Sequence, residues 1–329
     1  MHMADALINP AVAATMYAAS AAAAAYSIKK VREENNPRKI PLMGVMGAFV
    51  FATQMLNFTI PGTGSSGHLC GGLLLAALLG PYAAFLTMIG ILTIQCLLFA
   101  DGGLLALGAN IWNMAFYGCF VGGLLIWQPI ISSKISKARI ILASVLGSII
   151  TLQMGAFSVV LETTASGISE LPFNVFAFTM QSIHLAIGTV EGLIISTVLL
   201  FVYQARPELL AGAASSTDGS LSFQKTLAFL GSAAALAAGV LSLAASEYPD
   251  GLEWSLEQVT GSAELESSGA LHALAAHIQE ITSLLPDYAF PNSESVWGTV
   301  FSGLAGSALV LLVCMACCYA FNFFKHKTA

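Results

Sequence analysis

The segment GTGSSGHLCGGLLLAALLGP (62–81) decides how the chain must be counted. Its second half, 69–80, is apolar but short of the ~20 residues a helix needs to cross a bilayer, and Pro81 sets its end. Counted as a crossing, it joins the apolar runs 8–28, 40–58, 82–100, 107–128, 139–161, 174–203, 224–245 and 298–323 to make nine. Taken as tilted or re-entrant, it turns every later loop to the opposite face.

The basic residues favour the crossing. The chain has 12, namely Lys29, Lys30, Arg32, Arg38, Lys39, Lys134, Lys137, Arg139, Arg206, Lys225, Lys325 and Lys327. They share one face only when nine spans are counted with the N-terminus outside and the C-terminus cytoplasmic, as positive charge at the cytoplasmic side requires. Composition supports the membrane class. Charged residues make up 9% of the chain and apolar residues 57%, with a mean hydropathy of +0.79, against about a quarter charged in soluble domains. The long apolar runs lack period-2 alternation, so the fold expected is all-α and polytopic rather than a barrel. Cys96, Cys119, Cys314, Cys317 and Cys318 fall inside apolar runs, which argues against a disulfide framework. The C-x-x-C within CMACC (314–318) reads as packing.

The segment also carries His68, and the chain begins Met1-His2. Signal peptides open with positive charge, whereas the first base here is Lys29, so the start reads as retained. A free α-amine, the amide nitrogen of residue 2 and that residue's imidazole close two fused chelate rings around one cation. His68 can complete a square of four nitrogens, which suits Ni(II) or Cu(II) better than Zn(II) or Mg(II). The plain alternative is that His2 is an ordinary surface residue. In the nine-span topology Met1, His2, His68 and the loop Asp101-Gly102-Gly103 all lie on the outer face.

The stretches SSGHLCGG (65–72), FADGGLLALGANIWNM (99–114), IHLAIGTVEGLI (183–194) and ARPELL (205–210), with Met1-His2, resemble the CbiM/NikM family. These are the substrate-binding membrane subunits of energy-coupling factor (ECF) transporters for cobalt and nickel. The resemblance covers residues 1–210 and implies a seven-helix bundle with metal held by Met1, His2 and His68. Residues 211–222 read as a linker, and 223–329 resemble the two-span CbiN/NikN partner through YPDGLEWS (248–255), here fused. The implied function is capture of Ni(II) or Co(II) outside a prokaryotic inner membrane. The implied partners are two ABC-type ATPase subunits and a CbiQ/NikQ-like transmembrane coupling subunit, besides membrane lipid; nucleic acid is not among them.

Other residues carry weaker expectations. Asn110 and Asn113, three apart on a helix, read as support for the loop histidine, with Asp101 beside them and Gln95 as polar glue. Cys70 is either a softer extra ligand or a packed thiol. His184 and Glu191 share a face of the seventh span, as a relay or as hydrogen-bonding groups away from the ligands. Gly118 and Gly122 form a G-x-x-x-G step, and 18–25 is almost all alanine. The outer segment 246–297 has nine carboxylates, Glu247, Asp250, Glu253, Glu257, Glu264, Glu266, Glu280, Asp287 and Glu294, and no Lys or Arg. It reads either as a surface that concentrates divalent cations or as plainly solvated, with helical spacing over 268–285. Gly64-Ser65-Ser66-Gly67 leaves a rival reading, an intramembrane serine protease using Ser66 and His184. A channel lacks a charged ring. A self-contained ATP-driven pump is excluded, because no G-x-x-x-x-G-K-[ST] loop is present.

Overall fold

The computed structural model describes residues 1–327 except 35, 37, 38, 133, 169, 213–218 and 294, with side chains as far as Cys317. Arg38, Glu294, half of the linker and the side chains of Cys318, Lys325 and Lys327 therefore lie outside the described residues. After a 3₁₀ turn at Asp5–Leu7 come α1 (Pro10–Glu34) and α2 (Lys39–Gln54), a hairpin of β1 (Phe58–Ile60) and β2 (Ser65–Gly67), and α3 (Gly72–Leu79) and α4 (Pro81–Phe99). The next rod joins α5 (Leu107–Asn110), a π-helical stretch (Ile111–Trp127) and α6 (Gln128–Ser132). Then follow the antiparallel pair α7 (Lys137–Ser166) and α8 (Phe173–Ala205), and α9 (Phe223–Gly239). The chain ends with α10 (Gly251–Thr260), α11 (Ala270–Thr282) and α12 (Val296–Lys327). The expected all-α membrane fold is what forms.

The nine crossings counted from the sequence are not all made by long helices. Among the described residues, six helices are long and apolar enough to cross a bilayer: α1, α4, the rod Leu107–Ser132, α7, α8 and Val296–Cys317 of α12. The helices α2, α3 and α9 have 16, 8 and 17 residues, and α9 is lengthened by a 3₁₀ turn at Leu241–Ala244. The chain nevertheless still reverses at each of them. Lys39 Nζ donates to the Leu79 carbonyl at 2.8 Å, which places the end of α3 beside the start of α2. Leu221 N donates to Ala205 O at 3.2 Å, and Ser246 N to Asn57 O at 2.7 Å, so α9 runs from the end of α8 back to the end of α2.

At 1.5 Å per residue α3 rises only about 12 Å, and the chain ahead of it at 68–71 is non-helical. Such backbone survives inside a membrane only where protein groups satisfy it. Gln54 Nε2 donates to Cys70 O at 2.9 Å, and Gly71 N donates to Glu191 Oε1 at 3.0 Å. Gly71 itself has φ +84°, and a Cβ there would stand 2.4 Å from Val50 Cγ1. Gly118 seats the rod against α3, because its Cβ would lie 3.0 Å from Gly72 Cα. That close approach gives the G-x-x-x-G step its packing role.

Candidate metal centre

The first eight residues fold back into the bundle. Met3, Leu7 and Ile8 are essentially sealed from solvent. Asn110 holds this segment at both ends of one residue, its Oδ1 accepting from Met3 N at 2.7 Å and its Nδ2 donating to Met3 O at 3.1 Å. Gly103 N donates to Met3 O at 2.8 Å, and Ala106 N to Asp5 Oδ1 at 2.9 Å. The stretch 101–110 is thus a cradle for the N-terminus. Asn110 and Asn113 were expected to brace the loop histidine. They brace Met3 instead, Asn113 Nδ2 donating to Glu162 Oε2 at 2.7 Å and lying 3.6 Å from the Met3 sulfur. Asn110→Ala is expected to weaken metal binding 10–100-fold, the usual effect of losing an outer-shell partner, while calorimetry still finds one site.

The cradle delivers Met1 Nα to 3.1 Å from His68 Nε2. That is close to the roughly 2.8 Å between neighbouring corners of a square with metal–nitrogen bonds of about 2 Å. His2 and His68 stack, with ring centroids 5.4 Å apart and planes 21° from parallel. The His2 nitrogens face other groups: Nδ1 lies 3.0 Å from Asp101 Oδ1 and Nε2 lies 3.2 Å from Gln95 Oε1. Burial pushes the His2 pKa down to about 4, against the pull of Asp101. Burial thus favours the neutral ring near pH 7, with both nitrogens facing oxygens. Tyr288 OH donates to Asp101 Oδ2 at 2.6 Å, and Gln95 Nε2 to Gln54 Oε1 at 3.0 Å, so both partners of His2 are themselves held.

Asp250 completes the group. Its Oδ2 pairs directly with the Met1 amine and lies 3.8 Å from His68 Nε2. Its Oδ1 caps α10, accepting from Leu252 N at 2.8 Å and Glu253 N at 3.0 Å, while Glu253 accepts from Asp250 N in return. This capping box explains why the chain turns there. Burial works against the charged amine, but Asp250 outweighs it and holds the amine's proton above its ordinary range. Burial likewise opposes the carboxylate, yet the amine and His68 keep Asp250 well below the usual carboxyl range. The backbone ahead of Asp250 is laid on the hairpin, with Ser66 N donating to Pro249 O at 2.8 Å and Ser66 Oγ to Tyr248 O at 2.7 Å.

These contacts revise several expectations. His184 and Glu191 are not remote. His184 lines a small pocket with Met1, His68, Cys70 and Asp250, and a Cβ on Gly251 would stand 3.0 Å from its Nε2. Glu191 supports the His68 loop through Gly71. Cys70 Sγ donates to Met114 O at 3.3 Å. Ser66 is committed to backbone carbonyls and His184 Nδ1 to Met180 O at 2.7 Å, so nothing supports a protease dyad. The acidic segment is not merely solvated, because Asp250, Glu253, Glu264 and Asp287 help wall a cavity of about 530 Å³ that reaches His2 and His68. Asp250 and Gln54 were missed as site residues. The D-x-x-E cap at 250–253 was the available signal, but it names a helix start and not what that start touches.

Known proteins resemble this chain over both of its parts. Residues 2–209 match the family model described as the cobalt uptake substrate-specific transmembrane region, CbiM, and residues 224–323 match the PDGLE domain. A putative fused nickel transport protein NikMN of Archaeoglobus fulgidus is 34% identical, covering 94% of this chain and 96% of the relative. The fused nickel transport protein NikMN of Rhodobacter capsulatus is 30% identical over 94% and 95% of the two chains. A crystal structure of a truncated transition metal transporter superposes with a TM-score of 0.54 at 33% identity, over 61% of this chain and 98% of that one. With its multiple membrane-spanning helices and folded-back N-terminus, the chain belongs to the CbiM family of substrate-specific transmembrane proteins and carries a PDGLE domain behind it.

Proposed function

We propose that this chain is the metal-capturing subunit of an ECF-type importer and binds Ni(II) or Co(II) as cargo through Met1 Nα, the His2 amide and imidazole, and the His68 imidazole. The observation that carries the reading is the approach of the Met1 amine to His68 Nε2, 3.1 Å apart across 67 positions of sequence. Two nitrogen donors so far apart in the chain and buried together suit a transition metal. The cavity above them supplies a way in. A hexahydrated ion, at roughly 30 Å³ per water, occupies on the order of 200 Å³, well within the 530 Å³ available. Asp101, Asp250, Glu253 and Asp287 on its walls favour a cation, and among the described residues neither Lys nor Arg lines it.

Energy for uptake has to come from elsewhere, since the chain has no phosphate-binding loop. Two ATPase subunits and a CbiQ/NikQ-like coupling subunit fill that role in this reading, with the site facing outside and the C-terminus in the cytoplasm. Equilibrium dialysis against nickel and cobalt is the direct test. One ion per chain, lost in His68→Ala, supports the proposal; retention by His68→Ala sinks it.

Proton displacement gives a second check. The amine is held protonated by Asp250, and it and the His2 amide nitrogen must each release a proton to bind metal. Affinity should therefore rise with pH between 6 and 8, about tenfold per unit for each proton displaced. His2, already neutral down to about pH 4, adds no slope in that window. Calorimetry at three pH values reads the slope, and a flat profile contradicts an amine ligand.

A further inference from the structure

The helix α11 presents three faces, and only two of them have an evident neighbour. Its inner face is fastened to the roof of the cavity. His272 Nε2 lies 3.0 Å from Ile8 O, on the folded-back N-terminal segment. Gln279 Nε2 donates to Cys96 O at 3.1 Å and Gly102 O at 2.9 Å, and its Oε1 accepts from Leu104 N at 3.2 Å. A second face, with Ala273, His277 and Glu280, is exposed and suits water. The third is a stripe at positions i, i+3, i+7 and i+10: Leu271, Leu274, Ile278 and Ile281, exposed by 52%, 54%, 37% and 65%. At 100° per residue these four fall within one quadrant, beside the fastened face and away from Glu280.

The depth of the helix identifies what covers that stripe. Just beyond its end, Leu285 N donates to Leu98 O at 3.1 Å, in the last turn of the membrane-spanning α4. Gln279 reaches Cys96 O in the same helix. The helix thus lies at the level where a spanning helix leaves the hydrocarbon. Trp297, 69% exposed at the start of α12, is the kind of residue that gathers at this boundary. With no Lys or Arg on α11, attraction to anionic headgroups contributes nothing, so apolar insertion has to hold it.

We propose that α11 is an interfacial membrane helix that sinks its Leu271–Leu274–Ile278–Ile281 stripe into the adjoining leaflet, so that lipid holds the roof of the cation cavity in place through Gln279 and His272. The proposal stands on the membrane placement of the bundle and is independent of which metal is bound. It is tested with the full chain in phosphatidylcholine nanodiscs, carrying photoreactive p-benzoylphenylalanine singly in place of Leu274, Ile278, Ala273 or His277. Phospholipid adducts by mass spectrometry at 274 and 278 but not at 273 and 277 are expected. Crosslinks from 278 to a second copy of the chain, or equal labelling from all four positions, overturn it. As a second measurement, Leu274→Ser with Ile278→Ser should leave the inner-face contacts intact yet raise amide exchange across 272–282 in nanodiscs; unchanged exchange also overturns it.

Discussion

A few residues added ahead of Met1 should reduce Ni(II) or Co(II) affinity by more than about 100-fold, beyond the 10–100-fold effect of losing an outer-shell partner. An equal extension at the C-terminus should leave binding intact. The extension deletes no side chain. It converts the α-amine, which sits 3.1 Å from His68 Nε2, into an amide that is a poor donor. It also has nowhere to go, since Met1 is 4% exposed and walled by Gly67, His184 and Asp250. Isothermal titration of both forms decides the matter, and equal affinities rule out the chelate.

The second large effect is expected from Asp250→Asn. Asparagine caps a helix about as well as aspartate, so α10 keeps its start and only the charge is lost. Removing one member of a buried ion pair costs about 3–5 kcal/mol, and the carboxylate is only 14% exposed. The pH window follows from the two shifts. The amine's proton is held above its ordinary value, so its contribution is full below about pH 8 and fades as pH rises through the raised value. The Asp250 pKa is depressed, so its contribution is present above about pH 4 and is lost as pH falls through the lowered value. The metal-free variant should therefore be least stable relative to the parent between about pH 4 and 8, with the gap closing in alkali. Because its amine releases the proton more readily, the variant should also begin to bind metal at lower pH. Melting curves across pH, with and without nickel, measure both effects; a gap that does not change with pH refutes the pairing.

Much of this molecule is visible in the one-dimensional chain, and what is hidden has a common cause. Membrane class, helix order and the metal-competent pair Met1-His2 and His68 follow from hydropathy, basic-residue placement and local motifs, all of which are read within a few residues. The shortness of α3 is legible in the sequence, but what sustains the non-helical residues 68–71 is not, because Gln54 and Glu191 are each distant in sequence. That same dip in the chain explains the misplacement of His184 and Glu191. Ligands were expected at the rim of the bundle, but the loop carries His68 down to their level. Asp250 was harder still, since its amine partner lies 249 residues away and it is one of nine carboxylates in its segment.

The meeting of the hairpin with residues 246–250 has a consequence for how the two halves cohere. Thr59 Oγ1 to Ser246 Oγ at 2.9 Å, Trp254 Nε1 to Thr63 O at 3.0 Å and the Ser66 bonds join them at the end of the bundle that holds the metal donors. None of these contacts involves the connecting stretch 211–222. The covalent join then works as a tether that raises the effective concentration of one half around the other. Severed there, the halves would have to find each other by mass action, and the docked arrangement would become dependent on how much of each is made.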